Sequence, residues 1–258
     1  MAFGYAFLYL PIVVLVLWSF NGSRLVTVWG GFSLRWYREL LANEQLLAAA
    51  ALSVRVAAVN ATVATVLGTF AALALERFGA FRGRTPLLVM LTSPLVLPEV
   101  VTGLSLLLLF ITLEQFIGWP DGRGFTTLTI AHVTFSMAYA AVVVRARLSG
   151  LDRDAEEAAM DLGATPAKAF LWVTVPRLGP ALLAAWLLAF TLSLDDLVVA
   201  SFVAGPGAST LPMAVFSQVR LGVSPQINAL ATLMILGVTL GLMASAWVMA
   251  RARRRRTT

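Results

Sequence analysis

Six stretches of this sequence, at about residues 3–20, 47–75, 85–112, 126–148, 178–203 and 227–250, are each apolar for the length a helix needs to cross a lipid bilayer. Roughly 20 residues at ~1.5 Å each match a hydrocarbon core about 30 Å thick. No water reaches backbone N–H and C=O groups in that layer, so each stretch must satisfy them internally, as a helix. The chain is 59% hydrophobic and 12% charged, with mean hydropathy +0.86. Soluble domains carry about 25% charged residues. A single core could not hide so much apolar surface from water. The expectation is an all-α, polytopic membrane protein with about six transmembrane helices, one domain over residues 1–258. The first stretch lacks a basic n-region and a small-residue cleavage site, so it reads as a membrane helix rather than a signal peptide. No strong internal repeat or low-complexity segment is evident.

The net charge of +6 is distributed unevenly. With the C-terminus inside, the inner connections carry thirteen Lys and Arg, among them Arg77, Arg82, Arg84, Arg145, Arg147, Arg153, Lys168, Arg177 and the cluster Arg251 and Arg253–Arg256. The outer connections carry five: Arg24, Arg35, Arg38, Arg123 and Arg220. The bias predicts cytoplasmic termini, and it accounts for the basic balance without nucleic-acid binding. There is no Cys, and the single His cannot build a histidine metal site alone.

Arg55 lies near the outer end of the second stretch and can snorkel to the interface. Pro94 and Pro98, in "SPLVLPEVVTG", each remove a backbone donor and predict kinks in the third stretch. The loop "GGFSLRWYRELL" predicts a short interfacial helix with Ser33 as N-cap, and Trp36 and Tyr37 at headgroup level. Residues 204–226 read as a re-entrant or interfacial element, or as a surface loop.

The longest inner connection reads "LDRDAEEAAMDLGATPAKAFLWVTVPRLGPAL". Residues 154–162 favour a helix with acidic residues in its first turn. Gly163 is placed to stop it. Thr165 would cap a second helix with Pro166 at N1, which Pro176 would end.

This connection resembles the EAA loop of ATP-binding-cassette importer permeases. Glu157-Ala158-Ala159 is followed by Gly163, then by Val173, Val175 and Pro176 in a hydrophobic-x-hydrophobic-Pro ending. Val stands where the family usually has Ile and Leu. "PLVLPEVVTGLSLLLLF", "EEAAMDLGATP", "SFNGSRLVTVWGGFSLRWYRELL" and residues 188–233 are similar to permeases of the polyamine group, most closely those for putrescine. Glu99 stands where Asp is expected in that group, and Arg55 where a neutral residue is expected.

The resemblance implies a permease subunit in a bacterial inner membrane, with residues 151–177 as a cytoplasmic coupling loop. Glu157, Ala158, Ala159, Gly163, Pro166 and Pro176 would dock an ATPase. It implies as partners a second homologous permease, two ATP-binding subunits that hold ATP and Mg, and a periplasmic polyamine-binding protein. This chain has no "GxxxxGK[ST]" phosphate loop, so it is not expected to be an enzyme.

"TLSLDDLVVASF" then needs a reason. An Asp at mid-membrane costs roughly 2.5–3.5 kcal/mol. Asp195 lies roughly 25 Å from the inner end of the fifth stretch, in its outer half. Glu99 lies near mid-depth. For a dication such as putrescine, Asp195, Asp196 and Glu99 are candidate path residues, with Thr191 on the face of Asp195 and with Tyr139. Trp186, Phe190 and Phe135 could supply aromatic walls, or simply pack. A structural alternative stands beside this: Ser193-x-x-Asp196 fits a capping box, so the helix would break and restart there. His132 reads as an interhelical hydrogen-bond partner. Spermidine or another organic cation is the alternative cargo. An ion-coupled secondary carrier is the alternative class, against which the EAA loop speaks; a membrane enzyme finds no nucleophile–base constellation.

Overall fold

A computed structural model of the chain describes residues 2–25, 28–221 and 225–254. Every regular element among them is helical. In chain order these are α1 Ala2–Trp18, α2 Arg35–Leu41, α3 Glu44–Arg77, α4 Arg84–Val96, α5 Glu99–Ile117, α6 Phe125–Leu148, α7 Asp154–Asp161 and α8 Pro166–Ala169. A π-helical turn at Phe170–Thr174 leads into α9 Val175–Asp195, followed by α10 Val198–Val203, α11 Leu211–Leu221 and α12 Pro225–Arg254. Glu44–Arg77, Glu99–Ile117, Phe125–Leu148 and Pro166–Asp195 are long and apolar enough to cross a membrane. Gly4–Trp18, Arg84–Val96 and Pro225–Gly241 are shorter apolar helices. The predicted polytopic, all-α architecture is therefore present. Arg255 and Arg256 of the expected basic terminus lie outside the described residues, as do 222–224 of the outer loop, the rest of which holds α11.

The chain divides into two compact units, Met1–Ala51 with Met213–Thr258, and Leu52–Pro212. In the second, α3 presents Ala57, Ala61, Ala64, Gly68 and Ala72 along one face, spaced by three or four residues and all buried. That is the spacing of one helical stripe. Small residues let backbones approach closely, which is what association needs where lipid is as apolar as leucine. Opposite them lie Ala140, Ala141 and Val144 of α6 and Ala185 and Ala189 of α9, packed with Met137, Trp186 and Phe190. Buried Asn60 ties the three helices together: its Nδ2 donates to Ser136 Oγ at 3.1 Å and to the Ala189 carbonyl at 2.9 Å.

Helix α3 has 34 residues. Arg55 and Arg77 are about 33 Å apart along it, close to the hydrocarbon thickness. The Arg55 guanidinium lies over the Phe125 ring, 5.3 Å from its centre, at the first residue of α6. Arg55 thus lies about three turns inside α3, level with the first residue of α6.

The third apolar stretch is two helices rather than one kinked helix. Pro98 forces Leu97 out of the helical region, to φ −72°, ψ 139°, and α5 starts afresh at Glu99. Pro94 is accommodated inside α4.

In the first unit, α2 forms as predicted, but its N-cap is Leu34. Ser33 Oγ instead accepts from Arg35 N at 3.1 Å, a local turn one residue earlier. Trp36 is buried, its Nε1 donating to the Asn21 carbonyl, and Tyr37 pairs its hydroxyl with Ser19 at 2.6 Å. Glu39 takes bonds from Arg35 of its own helix and from Gln226 of α12; the Arg35 bond foremost holds its carboxyl below the usual range.

Candidate functional site

The two interrupted helices meet at one place in the second unit. A cavity of about 240 Å³ is lined by Pro94 and Leu97 at the α4–α5 break, by Glu99, and by Asp195 and Asp196 at the α9–α10 break. Phe135 and Tyr139, one helical turn apart on α6, line it too. Four of the five path candidates are brought together here. Thr191 is not: its hydroxyl donates back to the Leu187 and Leu188 carbonyls, both at 3.0 Å. A threonine inside a membrane helix satisfies itself this way when no partner helix is nearer. Trp186 and Phe190 are also elsewhere, stacked 5.1 Å apart in the packing against α3, with Trp186 Nε1 on Thr62.

The paired aspartates divide their work. Asp196 leaves the helix at φ −66°, ψ 121°, and accepts from Val199 N at 3.2 Å and Ala200 N at 2.7 Å. It therefore satisfies the first free amides of α10, where a negative charge also meets the positive end of the helix. The expected break and restart are present, but not the box: Asp196 bonds forward, and Ser193 turns to His132 instead. His132 Nδ1 and Ser193 Oγ are 2.6 Å apart, both residues buried. His132 Nε2 lies 3.2 Å from Asp196 Oδ2, but off the angle a hydrogen bond requires. The Ser–His–Asp order invites comparison with a hydrolytic triad. Ser193 is 4% exposed and Asp196 is engaged as a cap, so this is a structural latch between α6 and α9.

Asp195 is different. It is exposed at the cavity, and no donor from another side chain among the described residues reaches its carboxylate. Glu99 is likewise exposed, in the first turn of α5. An unpaired carboxylate at membrane depth, beside a cavity with aromatic walls, is suited to meeting an organic cation.

The connection over residues 151–177 folds largely as read. Helix α7 ends at Leu162, and Gly163 adopts φ +90°. Gly163 N donates to the Met160 carbonyl at 2.9 Å and Ala164 N to that of Ala159 at 3.0 Å, which is the Schellman closure. A Cβ on Gly163 would meet nothing within 4 Å, so its backbone and not its packing within this chain requires glycine. Thr165 caps α8, accepting from Lys168 N, with Pro166 at N1. Pro176 does not end this second helix. It falls in the first turn of α9, where a missing N–H is tolerated. The π-helical turn just before it widens the backbone where a proline ring would otherwise strike the carbonyl four residues back. Glu157, Ala158 and Gly163 are exposed, and Leu162 stands 90% exposed beside them.

Some participants were not legible in the sequence. Glu76, Arg77, Arg145, Glu156 and Thr174 form a polar cluster where the C-terminal ends of α3 and α6 meet the start of α9. The only signal was an acidic residue preceding Glu157 and arginines at helix ends, which the charge bias already explained.

The family described as binding-protein-dependent transport system inner membrane component matches residues 64–258. The putrescine transport system permease protein PotI of Escherichia coli (strain K12) is 58% identical over 253 residues, covering 98% of this chain and 90% of that protein. The spermidine/putrescine transport system permease protein PotC of Haemophilus influenzae is 44% identical, covering 90% of this chain and 87% of that one. Among solved structures, a bacterial alginate ABC transporter in complex with an alginate pentasaccharide-bound periplasmic protein aligns with TM-score 0.71 at 14% identity. The alignment covers 100% of this chain and 92% of that one, and shares the fold.

Proposed function

The chain belongs to the family of binding-protein-dependent transport system inner membrane components, and on that premise we propose that it forms half of the path by which an ATP-driven importer carries putrescine across the inner membrane. The carrying observation is the cavity where two helix breaks converge, lined by Glu99, Asp195 and Asp196. A short dication with an apolar middle needs a carboxylate at intervals and an aromatic or apolar wall between them. Asp195 and Glu99 are the contacts for its ammonium groups, Tyr139 and Phe135 form the wall, and Asp196 holds the break open. The 58% identity to a putrescine permease supports this cargo. The relatives for spermidine and putrescine make spermidine the second reading.

The rest of the machine follows from the same proposal. A second, related permease completes the path, two ATP-binding subunits hold ATP and Mg, and a periplasmic polyamine-binding protein delivers the cargo. Residues 151–177 are the coupling loop. Glu157, Ala158, Ala159, Gly163 and Pro166 face the ATPase, and Pro176 sets the junction with α9. Both termini are cytoplasmic, so a reporter fused after the last helix should read inside; an external reading would overturn the orientation. The test of function is uptake of labelled putrescine and spermidine by the assembled complex in vesicles, with and without ATP. ATP-independent uptake, or no uptake of either amine, would refute it.

Gly163→Glu is a separate test of the coupling face. The variant forces a side chain into φ +90° and sets a charge in space that is empty within this chain. Membrane insertion should be unchanged, while ATPase co-purification should fall about tenfold, a loss of ~1.4 kcal/mol. Parental co-purification would remove Gly163 from the contact.

A further inference from the structure

We infer that Glu156 and Arg77 form a strap that fixes the coupling loop to the membrane helices and passes its movement to them; the inference rests on the importer function above. Glu156 lies in the first turn of α7, beside Glu157 but turned about 100° from it. Glu157 is exposed. Glu156 faces inward, and one of its oxygens takes two bonds, from Arg77 Nη2 at 3.1 Å and from Thr174 Oγ1 at 2.6 Å.

These three residues belong to three separate elements. Arg77 is the last residue of α3, and Thr174 closes the π-helical turn that opens into α9. Arg77 Nη2 also reaches the Leu151 carbonyl at 3.4 Å, just before α7. Its neighbour Glu76 accepts from Arg145 Nε of α6 at 2.5 Å, and the Glu76 carbonyl accepts from Arg153 at 3.1 Å. A displacement of α7 is therefore felt at once by α3 and α9 through Glu156, and by α6 through Glu76.

The degree of burial separates this pair from an ordinary surface ion pair. Exposed pairs are held loosely by two long side chains and contribute little. Here the Arg77 and Glu156 side chains are 11% and 20% exposed, and the third partner, Thr174, is buried. Two bonds to one oxygen and the burial of the partners restrict how far the pair can move, as a link that carries force requires. The two adjacent carboxylates then have distinct tasks: Glu157 turns outward to the ATPase, and Glu156 turns inward to α3 and to the start of α9, whose far end lines the path. Glu156 is a positioning residue, acting through Arg77 and Thr174 rather than on cargo or nucleotide.

The test uses the assembled complex in proteoliposomes and reads putrescine uptake and ATP hydrolysis in the same sample. Glu156→Ala should keep ATPase attachment and hydrolysis, while uptake per ATP falls about tenfold, within the range of coupling effects between sites. Glu156→Gln still accepts both bonds but lacks the charge, and should retain a larger share of that ratio. Exchanging the charges, Arg77→Glu with Glu156→Arg, should recover part of what Glu156→Ala loses. A parental ratio in Glu156→Ala overturns the strap and leaves the function standing. Loss of the ATPase subunit from Glu156→Ala also overturns it, by making Glu156 a docking residue. If Glu156→Ala does not accumulate, Glu156→Gln decides: a lowered ratio supports the strap and a parental one overturns it. Absence of putrescine uptake in the parental complex would overturn both the function and the strap that rests on it.

Discussion

Replacing Gly68 with leucine should abolish accumulation of the folded permease. A Cβ at this position would stand 2.8 Å from the Ala141 backbone nitrogen, 2.9 Å from Ala140 Cβ and 3.0 Å from the Met137 carbonyl oxygen. Two of those neighbours are main-chain atoms of α6, which cannot swing aside as a side-chain tip would. Overpacking a close-packed core costs about 1–3 kcal/mol even where side chains can move. Here α3 and α6 would have to separate, and Asn60, two turns away on the same stripe, would lose its bonds to Ser136 and to the Ala189 carbonyl. Leaving a buried polar group unsatisfied costs about 1–3 kcal/mol more. Together these are a large part of the ~5–15 kcal/mol by which folded proteins are stable. Gly68→Ala, which introduces that Cβ, should already lower thermal stability and accumulation, and Gly68→Leu should be degraded. Quantifying membrane-bound protein and its melting in detergent checks both. Parental levels and melting for Gly68→Leu would show that α3 and α6 need not approach so closely.

Asp195→Asn should cut putrescine uptake about tenfold or more, with assembly and ATPase attachment intact. Asparagine keeps the shape and an acceptor but removes the charge. No donor from another side chain among the described residues reaches the Asp195 carboxylate, and asparagine keeps an acceptor for the local backbone amide, so the main thing the change removes is the charge. Asp196→Asn is the internal comparison. One amide oxygen replaces the two that now accept from Val199 and Ala200, so one of the two bonds is lost, at about 0.5–1.5 kcal/mol. That variant should melt lower, yet transport within about twofold of the parent at matched protein levels, because its main effect is on the cap. Initial uptake rates in vesicles saturated with binding protein separate the two. Parental transport by Asp195→Asn would take its charge out of the path and leave Glu99 as the carboxylate to examine.

The parts that were legible in the sequence share a physical cause. Apolar runs, the Gly163 stop, the Thr165–Pro166 helix start and the break after Asp195 are set by residues within a few positions of one another. A capping role for Asp196 was legible as an alternative, because a cap needs only nearby amides; how the two aspartates divide their roles was not. The cavity was half legible, because Glu99, Tyr139 and Asp195 could each be picked as costly or suitable residues, but their convergence depends on how α5, α6 and α9 pack. Thr191 and Pro176 were misread for local reasons. Helical periodicity placed Thr191 on the face of Asp195, yet its hydroxyl had a nearer acceptor in its own helix. Pro176 read as a stop because a π-helical turn leaves no mark in composition. The alanine stripe of α3 and the Glu156–Arg77–Thr174 cluster were hidden because alanines and helix-end arginines are ordinary in any membrane protein, and only their neighbours give them meaning.

Helix α3 is also a ruler. Arg55 marks one edge and Arg77 the other, about 33 Å apart, and neither can shift along the bilayer normal independently. Arg55 rests on Phe125 of α6, and Arg77 is bonded into the loop beneath. A bilayer a few ångströms thicker or thinner than this separation must bend to meet the helix or tilt it, at fractions of a kcal/mol per ångström. One end of the helix carries Arg77, and with it the loop proposed to couple. If residues 151–177 couple to an ATPase as proposed, lipid chain length would act on this protein as a mechanical load applied at that joint.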